Sequence, residues 1–321
     1  MSDAIAGAEA LFGQMLDGGM DDAEIADTLV SLAERGETAE EIAGAALAMR
    51  ARMKRVIAPA GAIDVCGTGG DGQHSLNIST AVALVVAACD VPVAKHGNRA
   101  ASSKAGAADT LEALGLNLAK ASGKAEETLA DLGIAFLFAQ AHHPALGRIA
   151  PIRKALGRRT IFNLLGPLAN PAGVTRQMVG IADPALVPVY ARAMELLGTD
   201  RAMIVSGEEG LDELSIAGPS RVATIGMDDG GGSVSPADAG LPIHPLAALR
   251  GGDAAFNAAA LRRLLEGEEG AYRDAVLLNA AGALMVAGEA GNLREGVEEA
   301  AEALDKGLAN ALLNCWIAAC R

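Results

Sequence analysis

The chain has 321 residues, 51% of them hydrophobic but only 2% aromatic, and carries a formal net charge of −14. That length fills one large or two modest domains, whose core must rest on Ala, Leu, Val and Ile rather than on rings. The acidic balance argues against non-specific nucleic-acid binding, which needs a basic face, and no run of about 18 uncharged apolar residues marks a membrane span.

The start of the chain, Ser2-Asp3, lacks the basic region of a signal peptide. The four cysteines (Cys66, Cys89, Cys315 and Cys320) show no CxxC spacing, so they are expected to be inert thiols in a reducing, cytoplasmic compartment. Charge is unevenly spread. Between Lys95 and Thr160, ten Lys/Arg stand against five Asp/Glu, a local excess of five positive charges that suits an anionic ligand.

The first sixty residues read as helices only. Ile25, Leu29 and Leu32 recur at helical spacing, and Gly36 is a stop. Thr38 to Glu41 forms a capping-box pattern ahead of Ile42, Ala46, Met49 and Met53. From Ala62 the texture alternates. Strands are predicted at 62–66, 91–94, 134–138, 177–181, 202–206 and 222–225, with helices at 80–89 and 102–114. Residues 228–235 read as a glycine-rich surface turn or hairpin, and the last third as helical, notably 271–287 and 293–317. The expected fold class is α/β. A small helical domain at 1–60, completed by helices near 148–170, would precede a larger α/β domain at 61–321 with a mainly parallel central sheet.

Chemistry is concentrated in one run, from Asp64 to Ser103. Gly67-Thr68-Gly69-Gly70-Asp71-Gly72 satisfies the dinucleotide fingerprint formally, but the next helix waits until about Ser79 and the second strand delivers Lys95 instead of an acid. The better reading is a phosphate cradle. Glycines let several N–H groups converge on a diphosphate, and Asn77, Ser79 and Thr80 add polar side chains at a helix N-terminus. Asp71 cannot itself bind phosphate and suits a ribose hydroxyl, a metal-bound water or a turn.

G-T-G-G-D-G, N-I-S-T, K-H-G-N-R, S-S-K-x-G, H-H-P-A (142–145), R-T-I-F-N-L-L-G-P-L-x-N-P (159–171) and Asp212-Glu213 occur in that order. Together they resemble the anthranilate phosphoribosyltransferase family, over roughly residues 64–216. The resemblance implies a nucleoside phosphorylase/phosphoribosyltransferase-like fold and transfer of a phosphoribosyl group from 5-phosphoribosyl 1-pyrophosphate to anthranilate, a step of tryptophan biosynthesis. It implies that Gly67, Gly70, Asp71, Ser75, Asn77, Ser79, Thr80, Lys95, Ser103 and Ala107 hold the phosphoribosyl donor. Anthranilate would meet Gly67, Asn98, His143, Arg153 and Gly166, a guanidinium being suited to a carboxylate; spacing alone leaves Arg148, Arg158 and Arg159 as competitors for Arg153. Asp212 and Glu213, after a strand, suit Mg²⁺, with Ser79 joining the same network; Glu208-Glu209 reads as a solvated loop. No acid or base is assigned, and His96 is a candidate base by proximity only. The resemblance also implies a homodimer through the helical domain.

The chain departs from the family's serine-rich S-S-K-S-G-S pattern at Ala105 and Ala107, removing one or two hydroxyl contacts to phosphate, each worth about 1 kcal/mol. A pyrimidine nucleoside phosphorylase and a non-catalytic, nucleic-acid-binding relative are the rival readings. K-H-G-N-R and the Asp-Glu pair oppose the first, and the net charge opposes the second.

Overall fold

A computed structural model of the chain describes residues 2–100, 104–228 and 231–321. Three helices open it: α1 (Asp3–Asp17), α2 (Asp22–Arg35) and α3 (Ala39–Arg50). Each begins where a side chain accepts one of the orphan N–H groups of a helix start. The Thr38–Glu41 capping box is present as expected, and a second one, Asp21–Glu24, opens α2. Gly36 ends α2, but α3 stops at Arg50, short of Met53.

Seven strands follow among the described residues: β1 (Ile63–Gly67), β2 (Val93–Gly97), β3 (Ile134–Phe138), β4 (Arg176–Gly180), β5 (Arg201–Gly207), β6 (Ser220–Ile225) and β7 (Gly232–Val234). They form one sheet in the order β3-β2-β1-β4-β5-β6-β7, parallel from β3 to β5 and antiparallel at β6 and β7. The chain runs outward from β1 to β3, then crosses back to pair β4 with the other edge of β1. That reversal places a crevice beyond the carboxyl ends of β1 and β4, where open parallel sheets bind ligands.

The two faces of the sheet are covered by different layers. On one lie α4 (Ile78–Ala88), the helix Ala271–Ala287, whose residues from Ala275 onward are all buried, and Trp316. On the other, α1–α3 and helices between Ile149 and Leu165 share a core with Val179, Tyr190 and Ile204. Small aliphatic side chains therefore do the filling, as the scarcity of rings required. No helix among the described residues is long and apolar enough to cross a membrane.

Several boundaries differ from expectation. β2 starts at Val93, not Val91, and continues through Lys95 and His96, because both polar residues find buried partners and need not end the strand. The helix α5 (Ala107–Ala113) starts five residues late, behind Gly106, whose N–H and that of Ala100 donate to the Asp109 carboxylate. Ser102 and Ser103 lie outside the described residues. The final helical run is broken in two, Leu293–Asp305 and Leu308–Ala319, at Gly307, whose φ of 69° ends regular helix. Two short helices, Leu118–Gly123 and Ala125–Leu132, carried no expectation. Within the glycine-rich stretch, residues 232–234 form β7, paired antiparallel with β6, while residues 229 and 230 lie outside the described residues.

Candidate active site

The crevice at the topological reversal holds a cavity of about 360 Å³. The glycine loop, the start of α4, the end of β2, the start of α5, Arg153 and Asp212-Glu213 all line it. Of the residues expected to bind the phosphoribosyl donor, Gly67, Gly70, Asp71, Ser75, Asn77, Ser79, Lys95 and Ala107 face this space. Thr80 does not: it is buried in α4, and its hydroxyl finds no partner. The expected role of Ser103 falls outside the described residues. Among the residues expected at anthranilate, Gly67, Asn98, His143, Arg153 and Gly166 line the same cavity.

Lys95 is only 3% exposed, yet it opens onto the cavity. Its ammonium donates to Val65 O at 2.7 Å and Ser79 Oγ at 3.1 Å, which aims a fixed cation along the start of α4. Behind it lies Asp64, 0% exposed in a strand of Ile and Val. Asp64 accepts from Asn170 Nδ2 at 2.7 Å and from His96 N–H at 3.0 Å. Burial pushes this carboxyl up, and the neighbouring Lys95 charge pulls it back. Neither Asp64 nor Asn170 carried an expectation from sequence. A carboxylate inside an apolar strand was the available signal, since such a group is buried only with partners.

Asp212 and Glu213 arrive from the segment after β5. Asp212 Oδ2 accepts from Gly69 N–H at 2.7 Å, and Glu213 Oε1 accepts from Ser79 N–H at 3.1 Å. The Asp212 backbone crosses so tightly that a Cβ on Gly180 would fall 1.6 Å from its carbonyl oxygen; one on Gly67 would fall 2.1 Å from Oδ2. Asp71 folds its Oδ1 onto Gln73 N–H at 3.1 Å, leaving a buried Oδ2 with no partner. Desolvation first, then mutual repulsion with Asp71, holds the Asp212 carboxyl well above the usual range. Glu213 is raised in the same way, by desolvation and then Asp212, with Lys95 opposing. Asp71, Asp212 and Glu213 thus crowd one another electrostatically, though no group of three or more acidic, His or Cys side chains among the described residues is arranged to hold a metal ion.

The part of the cavity wall that carries His96 and His143 is different. His96 and His143 are buried, with ring centroids 5.1 Å apart and both Nε2 atoms unpartnered. His96 Nδ1 lies 2.8 Å from Gly166 O, so the proton belongs on Nδ1 and Nε2 is a bare acceptor. Desolvation holds His96 down to about 3 and His143 down to about 4, which makes both neutral and weakly basic. His142 instead turns its Nδ1 to Lys54 O at 3.0 Å, away from the cavity lining. Arg153 sits over the Phe162 ring, 5.7 Å from its centroid, and donates to Asn163 Oδ1 at 3.3 Å.

The structure separates the four arginines that spacing left open. Arg148, Arg158 and Arg159 pair with Asp22, Glu34 and Glu37 of the N-terminal helical region. Arg153 is the one of the four that lines the cavity. Arg99 of K-H-G-N-R is spoken for by Asp109 and Glu112 and lies 5.6 Å from the Phe138 ring centroid. Glu209 binds the Ser215 hydroxyl, and neither it nor Glu208 lines the cavity. All four cysteines are free; Cys66 and Cys320 are buried and Cys315 is exposed. Burial pushes the Cys66 thiol up, the reverse of what a nucleophile needs.

A helical bundle against a largely parallel sheet, with a glycine loop and an acidic pair at the switch point, agrees with the two-domain description of a glycosyl transferase family. The chain matches the helical bundle domain of that glycosyl transferase family over residues 6–53 and its a/b domain over residues 60–310. It is 71% identical over 315 residues to the anthranilate phosphoribosyltransferase of Novosphingobium aromaticivorans, covering 97% of this chain and 95% of the relative. A crystal structure of the enzyme from Thermus thermophilus superposes with a TM-score of 0.93 at 44% identity, covering 99% of this chain and 98% of that one. The Saccharomyces cerevisiae enzyme in complex with PRPP and Mg gives 0.89 at 29% identity, with 99% and 92% covered. The chain belongs to the anthranilate phosphoribosyltransferase family.

Proposed function

We propose that the cavity seats 5-phosphoribosyl 1-pyrophosphate along the glycine loop and anthranilate beside Arg153, and that the chain joins them into N-(5-phosphoribosyl)anthranilate with release of pyrophosphate. The observation that carries this reading is convergence. Lys95, the start of α4, the acidic pair and one arginine of four face a single space.

The loop amides of Gly67 to Gly72, the positive end of α4 and the Lys95 ammonium offer donors to phosphate oxygens. Asp212, Glu213 and Ser79 would hold Mg²⁺, whose charge would offset the desolvation and mutual repulsion of the two carboxyls and of Asp71 beside them. Bound there, it would neutralise charge on the departing pyrophosphate. The Arg153 guanidinium, shielded on Phe162, pairs with the anthranilate carboxylate and leaves the amine facing the sugar.

An aryl amine is a weak nucleophile, so bond breaking at the ribose C1 runs ahead of bond making. Lys95 and the loop amides stabilise the leaving group, while Arg153 and the walls at Gly166 and His143 hold the amine in line. Neither buried imidazole is a strong base near neutrality. Catalysis here is positioning and electrostatics. The α1–α3 layer covers the anthranilate end, where Met49 reaches the cavity, and keeps water from the activated sugar.

We also read the helices between 148 and 170 as completing the helical unit, on their shared core with α1–α3. Family likeness supports a homodimer through that unit, and four free thiols are in keeping with a cytoplasmic location. The test is the decline of anthranilate fluorescence with protein, phosphoribosyl donor and Mg²⁺, with and without EDTA. A decline that needs both donor and metal is expected; donor binding without any decline would mean that the acceptor is another amine.

A further inference from the structure

Asn77 occupies the N-cap position of α4, yet its side chain makes no capping hydrogen bond. It is held sideways by residues from elsewhere in the chain. The order of these contacts begins at a main-chain group whose polarity is beyond doubt. Gly252 N–H donates to Asn257 Oδ1 at 2.8 Å, which fixes the amide of Asn257, a residue 2% exposed in the helix Ala254–Leu265. The face that Asn257 turns to Asn77 is then its Nδ2, which donates to Asn77 Oδ1 at 2.9 Å. The hydroxyl of Thr110, 0% exposed in α5, donates to the same oxygen at 2.6 Å.

An amide oxygen has two lone pairs, and both are now engaged. The Nδ2 of Asn77 must therefore lie on the other side. It donates to Ala105 O at 3.5 Å, and both residues line the cavity. The backbone is pinned as well, since Tyr272 OH donates to Asn77 O at 3.1 Å. The segment that carries Gly252 is strapped to the phosphate loop by Leu76 N–H to Leu249 O and Gly251 N–H to His74 O, both 2.8 Å.

We infer that Asn257 and Thr110 are positioning residues for the phosphoribosyl donor, which lock the Asn77 amide with its N–H, not its oxygen, toward the anionic end of the cavity. An amide turned the other way would set a lone pair against phosphate oxygens. The inference deepens the proposed function and rests on the donor binding in this cavity.

Three substitutions test it. Thr110→Val keeps the side-chain shape and removes the hydroxyl, Thr110→Ser keeps the hydroxyl, and Asn257→Asp keeps the acceptor for Gly252 while placing a second acceptor against Asn77 Oδ1. Donor KM, anthranilate KM, kcat, the calorimetric Kd for the donor and Tm are measured for each. Loss of one hydrogen bond to a charged ligand predicts a donor KM and Kd raised on the order of threefold for Thr110→Val and tenfold for Asn257→Asp. Anthranilate KM stays near its original value, and Thr110→Ser restores donor binding. If Thr110→Val does not fold, Asn257→Asp against Thr110→Ser carries the test. A folded Thr110→Val or Asn257→Asp with unaltered donor Kd overturns the inference. So does a parallel rise in both KM values, or equal weakening by Val and Ser. An unaltered protein that binds no donor by calorimetry overturns the cavity reading itself, and the inference with it.

Discussion

Gly69 donates its N–H to Asp212 Oδ2 at 2.7 Å, across 143 residues of sequence. This bond ties the glycine loop to the acidic segment, two parts of the cavity wall. Neither the glycine nor the carboxylate shows that relationship by itself.

The close crossing at Asp212 makes two glycines unequal in their tolerance. A Cβ at Gly180 would meet the Asp212 backbone, which has nowhere to go, whereas one at Gly67 would meet the end of its side chain. Gly180→Ala is expected to destabilise the protein by several kcal/mol, in line with overpacking and backbone strain. Gly67→Ala should instead shift Tm by only a few degrees while turnover falls about tenfold or more, because the carboxylate is displaced. Thermal unfolding beside kcat at saturating Mg²⁺ separates the two. A Gly67→Ala enzyme of full activity would show that the position of Asp212 does not matter.

Relief of the carboxylate crowding gives the second expectation. Asp212→Asn combined with Glu213→Gln removes two acids whose charged forms burial and repulsion disfavour. Without metal, the double variant should melt at the same temperature as the parent or higher, since the strained charges are gone. It should also lose the Mg²⁺-induced rise in Tm and at least about a hundredfold in turnover. Scanning fluorimetry with Mg²⁺ and with EDTA checks the first two points. A metal-induced shift that survives the substitutions would place the ion elsewhere.

Arg153 is the next case. It is half-buried over Phe162 and, unlike its three neighbours, pairs with no acid among the described residues. Arg153→Ala should raise the anthranilate KM about tenfold or more, as expected for a lost charge-assisted pair, and leave the donor KM within about twofold. Arg158→Ala, which breaks only an exposed pair with Glu34, serves as control and should change neither constant. Equal changes in both KM values for Arg153→Ala would count against its role at the carboxylate.

The buried imidazoles predict how stability depends on pH. His96 is held to about 3 and His143 to about 4, chiefly by desolvation, against about 6.5 for a free histidine. Below about pH 6.5 the unfolded chain takes up protons at these sites that the folded chain refuses. Their stabilising contribution is thus complete above that pH and is lost as pH falls toward about 4 for His143 and about 3 for His96, on the order of 1.4 kcal/mol per unit for each. His143→Gln should flatten the fall in Tm between about pH 6.5 and 4.5 relative to the parent. An unchanged slope would mean that His143 takes up its proton as readily folded as unfolded.

Much of this was legible in the residue order. The Thr38–Glu41 capping box, the Gly36 stop and most of the strands appear near where pattern placed them, because caps and hydrophobic periods act over a few residues. G-T-G-G-D-G, Asn77, Ser79 and Lys95 fall within about thirty residues, and one βαβ unit brings them to a single cavity. Gly307 was missed as a helix break because Gly is tolerated inside helical patterns, and only its left-handed backbone shows the interruption. The extra length of β2 was missed because Lys and His look like strand ends until their buried partners are known.

By itself, then, the amino-acid order determined the two-part α/β architecture and most of the segments that meet at the cavity: the glycine loop, the start of α4, Lys95 and Asp212-Glu213. All of these follow from local spacing and residue type. Tertiary structure alone decided which of four arginines turns inward, that Thr80 turns away, that Asp64 and Asn170 stand behind Lys95, and which way the Asn77 amide points. Those outcomes depend on partners such as Glu37, Asn257 and Asp212, which lie far along the chain from the residues they hold. A buried polar group takes the orientation that its neighbours' donors and lone pairs dictate, and sequence spacing carries no record of that geometry.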